Sequence, residues 1–457
     1  MNIISFKNNN FSEIREKDEN SRNIGYSLFK NIQITGRNHY YPNVLLYKNK
    51  DKHDDSDLLF SPYDEKVMSL NKDSFYDDNI YNGIIENIVN PQIITDKVFF
   101  FIYNFDNYYH YIYDTLPYLY TYLELKKTNS TIKLLLNYPN KNKLEFYKFN
   151  EEFLFKIVGK YDIIIHNENN IYESLYVSTS FTHGGLSNSP PRKEIFEIYN
   201  IIKQNINYDN ISDIYKEEYD SKNNIIKNNN KYKKLYISRR TWLNNDKSNI
   251  GTDYTSRRKM MNEDDLVVEL NKKGFQEIFA ENLTTDEKIY LFSEADEIVG
   301  AIGGGMANLL FSRSIVKSYI IVSPYFLDIN YRFKYSMENT QIQYFYETNV
   351  FIDNFEENNK QEIPLYCRVQ ITDPENMFYN KIGEIIEYYE NDSDIDSDNN
   401  YKNTNKYKVA LSNNDVAGFN NNHSFLNIIF NKDEFKLLDK GLNSPYIFDY
   451  NNLLLSM

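Results

Sequence analysis

Glycine is scarce in this chain, 15 in 457 residues, yet Gly300, Gly303, Gly304 and Gly305 fall within six positions of DEIVGAIGGGMANLLF. An apolar strand run enters this cluster and helix-forming residues leave it. Backbone N–H groups at such a helix start, with no side chains in the way, suit a phosphate. A tight, closely packed strand-to-helix turn explains the same glycines, and both readings stay open. Neither a G-x-G-x-x-G fingerprint nor a P-loop Lys-Ser/Thr is present. Arginine is also rare, at eleven, with lysine supplying the rest of the 51 basic residues. An Arg therefore marks a place where a planar, always-charged donor matters. Arg239 and Arg240 close the strand KKLYIS, where a guanidinium can fork across a diphosphate and offset the charge of a leaving group. Surface ion pairing is the bland alternative. Arg257 and Arg258 are weaker candidates of the same kind. In NYYHYIYDTLP, His110 and Asp114 stand four apart, on one face of a helix, where the carboxylate can orient the imidazole as a base for a hydroxyl. A histidine satisfied inside an aromatic core is the structural reading. His183, in the loop FTHGGLSNSPP, is a further candidate.

The elements that must hold these groups alternate. From Asp96, DKVFFFIYN reads as a buried strand, followed by a helix from Asn107 to about Lys126 that Pro117 kinks. IKLLLN, an amphipathic stretch near 143–157, YDIIIH, SLYVSTS and a helix near 192–204 continue the pattern. A polar stretch then reads as a linker. The second unit runs KKLYIS, a helix opening at Asn262, FQEIFA, TTDEKIYLFSEA, EIVGA, the glycine cluster and SYIIVS. Asn262 is expected to cap its helix, with Glu263, Asp264 and Asp265 loading the positive end of the dipole. Strand–helix alternation predicts an α/β fold with mainly parallel sheets covered on both faces. The expected plan is a cover region (1–95), a first Rossmann-like domain (96–206), a linker (207–231), a second Rossmann-like domain (232–388), an acidic linker (389–400) and a C-terminal extension (401–457). Two doubly wound domains facing each other would place a cleft at the carboxyl ends of their strands.

Composition excludes several classes. A net charge of -14 argues against nucleic-acid binding. Hydrophobic content of 41% and aromatic content of 16% are ample for a core. A single cysteine, Cys367, allows no internal disulfide, which fits a reducing compartment. No apolar run reaches the roughly 18 residues of a membrane span, so the expectation is a soluble, cytoplasmic protein. Asp392, Asp394, Asp396 and Asp398 imitate the start of a calcium loop, but its glycine and closing glutamate are missing.

In order along the chain, NYYHYIYD, YISRR, RRKMMNEDDLV, LTTDEKIYLFSEADEIVG and GAIGGGMANLLF resemble the motifs of glycosyltransferase family 61. That family carries N-x-x-H-x-x-x-D, S-R-R, an arginine-rich loop before N-E-D-x-L, and G-x-H-G-A-G-h-x-N-h-h-F. The resemblance spans roughly residues 96–325. It implies a GT-B architecture and inverting transfer from a nucleotide sugar, typically a UDP-sugar, to a glycan or protein-linked glycan, without an essential metal or other cofactor. By position, Arg239, Arg240, Gly303, Gly304, Gly305 and Asn308 would hold the donor, and His110 and Asp114 would face the acceptor. Surface or capsular polysaccharide assembly fits such an activity. The chain departs from the pattern at Ile302, where the family has His, and at Gly304, where it has Ala. A member that binds nucleotide or glycan without turnover is the alternative. A metal-dependent GT-A enzyme using Asp394-Ile395-Asp396 is a further one.

Overall fold

The computed structural model describes residues 3–5, 25–35, 45–48, 58–61, 66–69, 91–103, 105, 107–138, 145–167, 169–182, 192–216, 218–220, 225–227, 232–240, 258–313, 315–324, 341–350, 367–389, 406–411, 426–438 and 445–457. Mixed α/β structure with parallel sheets runs through it, as the alternation of apolar runs predicts.

The first sheet contains β1 (Gly25–Thr35), β2 (Gln92–Phe100), β3 (Lys133–Leu136), β4 (Ile163–Ile165) and β5 (Asn170–Ser178). β5, β2, β3 and β4 lie side by side in that order, all parallel. Val98, Phe99, Phe100, Leu134, Leu135 and Leu136 are fully buried, as unbroken apolar runs require when both faces of a strand are covered. β1 pairs antiparallel with β5, and the short strands Leu45–Lys48, Leu58–Ser61 and Lys66–Ser69 continue outward from it. The described strands of the region expected as a cover therefore extend this sheet. β1 buries only alternate residues such as Ile32 and Ile34, so it lacks the continuous apolar run that marked β2.

The second sheet is parallel throughout: β6 (Lys234–Ile237), β7 (Gln276–Ile278), β8 (Glu297–Ala301), β9 (Lys317–Ile321) and β10 (Gln341–Phe345). Their spatial order is β7-β6-β8-β9-β10. The winding reverses between β6 and β8, and ligands of open α/β sheets bind at such switch points, outside the carboxyl ends of the strands. Strand residues alternate between the two faces. Leu235, Ile237, Ile298 and Ile320 join a core with helix Thr285–Glu294 that runs on into the first sheet. Tyr236, Val299, Tyr319 and Ile321 pack with Leu266 and Leu270 of helix Glu263–Lys272 and with Tyr446, Phe448 and Leu453.

The two sheets share one core. Phe153 stacks on Phe311 at 5.6 Å between centroids, and Tyr199 meets the same ring edge-on. The start of the stretch expected as a linker is docked: Asp286 accepts from Asn207 N–H (3.1 Å) and Asn210 Nδ2 (2.8 Å) and pairs with Lys156.

Beyond β10 a five-stranded antiparallel sheet has its own core around Val369, Ile385, Tyr407 and Phe430. Ile382–Tyr389 and Lys406–Leu411 pair directly within it. The acidic run between them thus connects neighbours in one sheet, and 368–389 belongs with that sheet, contrary to the plan read from charge alone. Asp392, Asp394, Asp396 and Asp398 lie outside the described residues. Cys367 is buried here, and burial pushes its thiol up to about 12. The chain then returns to pack against the second sheet, and Tyr446–Phe448 pairs with Thr348–Val350 as a separate two-stranded ladder.

Candidate functional site

β6 and β8 are in register with Ile237 opposite Gly300, so the chain emerges from both strands at adjacent points of the switch. Arg239 leaves one strand end and the glycine bend leaves the other. Arg239 Nη1 donates to the Ile302 carbonyl at 3.1 Å. A Cβ on Gly303 would overlap that same nitrogen. Gly303 is extended, with φ 166°, so the approach of the guanidinium explains this glycine and backbone conformation does not. Gly300 and Gly305 have packing reasons. A Cβ at Gly300 would overlap Met306, and one at Gly305 would stand 2.9 Å from Ile237 Cγ2. Gly304 has room, its nearest neighbour being Tyr108 Cδ1 at 3.7 Å. The helix that follows, Gly304–Phe311, is of 3-10 type. Its first N–H groups have no partner within the helix.

Arg240 goes elsewhere. Successive side chains of an extended segment point to opposite sides, and Arg240 forks onto Glu277 of β7 (Nε 2.9 Å, Nη2 2.6 Å) and pairs with Asp264. Those carboxylates hold its guanidinium even more firmly protonated than usual. Of the two arginines, the structure brings Arg239 to the bend and leaves Arg240 in an ion-pair cluster beside it. Arg258 has a left-handed backbone (φ 54°) and, with Arg239 and Glu263, lies within electrostatic range of Tyr446. Arg257 and His183 lie outside the described residues.

Glu263 sits in the first turn of its helix with Asp264 and Asp265, as expected, and is also buried beside Arg239. Its Oε1 accepts from Tyr236 Oη (2.7 Å), Ser238 Oγ (3.1 Å) and the Arg239 N–H (2.9 Å). Burial raises its pKa, while those bonds and the Arg239 charge oppose the rise. One carboxylate thus fixes the exit of β6. Asn262 makes no side-chain cap; its amide clamps the Phe448 backbone, donating to the carbonyl (2.9 Å) and accepting from the N–H (3.1 Å). The two-ended amide matches an exposed backbone pair better than a single helix N–H.

His110 and Asp114 sit at a helix start. Asn107 caps it, accepting from the His110 N–H at 3.2 Å. Pro117 cannot donate to the carbonyl a turn below. The chain accordingly widens to a π turn over Tyr111–Thr115, tightens over Leu116–Tyr118, and becomes an α-helix at Leu119–Thr128. His110 Nδ1 meets Asp114 Oδ2 at 2.5 Å, and Asp114 Oδ1 accepts from Thr182 Oγ1 at 2.9 Å. Asp114 is buried, whereas the His110 side chain keeps 28% of its exposure. Tyr108, two residues earlier, donates to Asn308 Oδ1 at 2.6 Å, and Asn308 Nδ2 donates to the Gly305 carbonyl at 2.9 Å. Asn308 is fully buried, so it ties the His110 helix to the glycine bend.

Sequence reasoning singled out neither Tyr108 nor two charged neighbours of the bend. Glu281 is mostly buried, which pushes its carboxyl up to about 7 against the pull of Lys288 and Arg239. Lys288 lies over the Tyr108 ring, 4.8 Å from its centroid. Only the adjacency of Tyr108 to the His110 motif hinted at any of them. Among the described residues, no three His, Cys, Asp or Glu side chains gather closely enough to hold a metal ion.

Residues 108–317 match the family model Glycosyltransferase 61, a span containing His110, Asp114, Arg239, Glu263, Lys288 and the glycine bend. No curated relative matches the chain. Over residues 108–317, 210 of the 457, the chain is similar to glycosyltransferase family 61, whose general activity is glycosyl transfer.

Proposed function

We propose that the protein is an inverting glycosyltransferase of GT-B architecture, taking a nucleotide sugar, in particular a UDP-sugar, at the second sheet and a glycan acceptor at the first. One observation carries this reading. Arg239 lies across Gly303 at the switch point, and the His110–Asp114 pair is tethered to the same bend through Tyr108 and Asn308. In this mechanism the Asp114 carboxylate orients His110, which takes the proton from an acceptor hydroxyl. The acceptor oxygen bonds to the anomeric carbon as the bond from that carbon to the diphosphate breaks. The Arg239 guanidinium and the N–H groups at the start of Gly304–Phe311 balance the charge on the departing diphosphate. Arg240, bound to Glu277 and Asp264, steadies the segment carrying Arg239. The reaction calls for no protein nucleophile and no essential metal, and the proposed setting is the cytoplasm, with a glycan-assembly role. Replacing Arg239 with alanine is expected to weaken UDP binding and transfer together; UDP affinity and transfer both left at the wild-type level would refute the reading.

A second reading has one observation in its favour. Ile302, where the family pattern has His, is a buried core residue and contributes only its carbonyl to the site. A binding protein without turnover would show calorimetric UDP binding and neither hydrolysis nor transfer from any donor tested.

A further inference from the structure

A diphosphate carries at least two negative charges, and Arg240 is committed to Glu277 and Asp264. Lys288, on helix Thr285–Glu294, is 4% exposed. Among the described residues its ammonium has no hydrogen-bond or ion-pair partner, only the face of Tyr108 at 4.8 Å. An unpaired buried ammonium is unfavourable, and burial pushes this one down to about 8. Nearby carboxylates have other work. Glu287 holds Thr284 (2.9 Å) and the Ser212 N–H (3.1 Å). Glu152 accepts from the Thr285 N–H (3.0 Å) and sits 3.6 Å from Lys148. Lys288 and Arg239 both lie within electrostatic range of Glu281. The Tyr108 ring beneath Lys288 also abuts Gly304, the one member of the triplet where an added Cβ would make only ordinary contacts.

We propose that Lys288 is the second cation of the diphosphate pocket, meeting the ligand from the Gly304 side while Arg239 meets it from the Gly303 side. This assignment rests on the donor-site reading above. A lysine kept buried without a direct hydrogen-bond or ion-pair partner then has a reason: the ligand supplies one.

The test titrates UDP, inorganic pyrophosphate and uridine into the full-length wild type, Lys288→Met and Arg239→Met by calorimetry, with ligand-free melting curves alongside. Lys288→Met is expected to weaken UDP and pyrophosphate about tenfold or more, the loss of one charge-assisted contact. Uridine affinity should not change, and the ligand-free melting temperature should rise because an uncompensated charge has left the interior. A purely structural lysine predicts the reverse pair, a lower melting temperature with UDP binding intact, and that result overturns the assignment. Wild-type UDP binding that Arg239→Met weakens and Lys288→Met spares defeats Lys288 alone. Failure of the wild type to bind either phosphate probe overturns the donor reading together with it.

Discussion

The four clustered glycines provide the sharpest test, because the structure assigns them different jobs. Alanine at Gly300 puts a methyl group into Met306 and close to Ile237. Overpacking of a full core costs about 1–3 kcal/mol, or roughly 2–4 °C of melting temperature per kcal/mol for a body of about 200 residues. Alanine at Gly303 overlaps the Arg239 guanidinium and otherwise makes an ordinary contact with the Ala301 carbonyl, and the extended backbone accepts it. It should therefore leave stability nearly unchanged while pushing Arg239 off the bend, ending the bond to the Ile302 carbonyl. The displaced guanidinium would forfeit its own charge-assisted bond to the diphosphate, about 1.5–3 kcal/mol, so UDP affinity should fall roughly 10- to 100-fold by the usual conversion. Alanine at Gly304 finds its nearest neighbour at 3.7 Å, an ordinary contact, and should keep wild-type stability. Melting curves and UDP titrations of the three variants give a pattern of stability loss, binding loss and neither in stability. Should Gly303→Ala bind UDP like the wild type, or Gly304→Ala melt as low as Gly300→Ala, the account of the bend is wrong.

Other outcomes follow from single contacts. Asp114→Asn removes the charge that orients His110 and should slow transfer about 100- to 10,000-fold with UDP affinity unchanged; equal losses in both would place the pair in donor binding instead. Asp286→Ala strands the nearly buried Lys156, which costs about 3–5 kcal/mol, and adding Lys156→Met should restore part of the melting temperature; no recovery in the double variant would deny that charge pair its role. The raised Glu281 carboxyl stabilises the fold fully below pH 4.5, and that contribution is lost as pH rises through about 7. The window of about 2.5 units corresponds to at most about 3 kcal/mol. Glu281→Gln should flatten the fall in melting temperature between pH 4.5 and 7, and an unaltered slope would mean that another group governs it.

Legibility in the sequence followed from how many faces of an element are buried. β2, β6, β8 and β9 are covered on both sides and show as apolar runs, so the parallel sheets and the placement of the glycine bend at a strand end could be read directly. β1 is buried at alternate positions and was absorbed into the expected cover region. Arg239 and Arg240 could not be told apart, since their facing depends on the residue at which β6 ends. Glu263 and Lys288 resemble ordinary charges on amphipathic helices. Glu263 is held by Tyr236, Ser238 and Arg239, and Lys288 lies over Tyr108, neighbours that no local spacing reveals. The acidic run misled for a related reason: a solvated connection looks the same whether it joins two bodies or two adjacent strands.

The hook formed by Tyr446, Phe448 and Leu453, held by Asn262, sets an order of events during biosynthesis. The face of the second sheet that includes Tyr236 and Val299 must wait for residues made roughly 200 positions after β6, a delay of about 10–40 s at usual translation speeds. Throughout that interval the nascent half-built sandwich shows a greasy flank to the cell, a natural foothold for chaperones and the moment at which aggregation competes with completion.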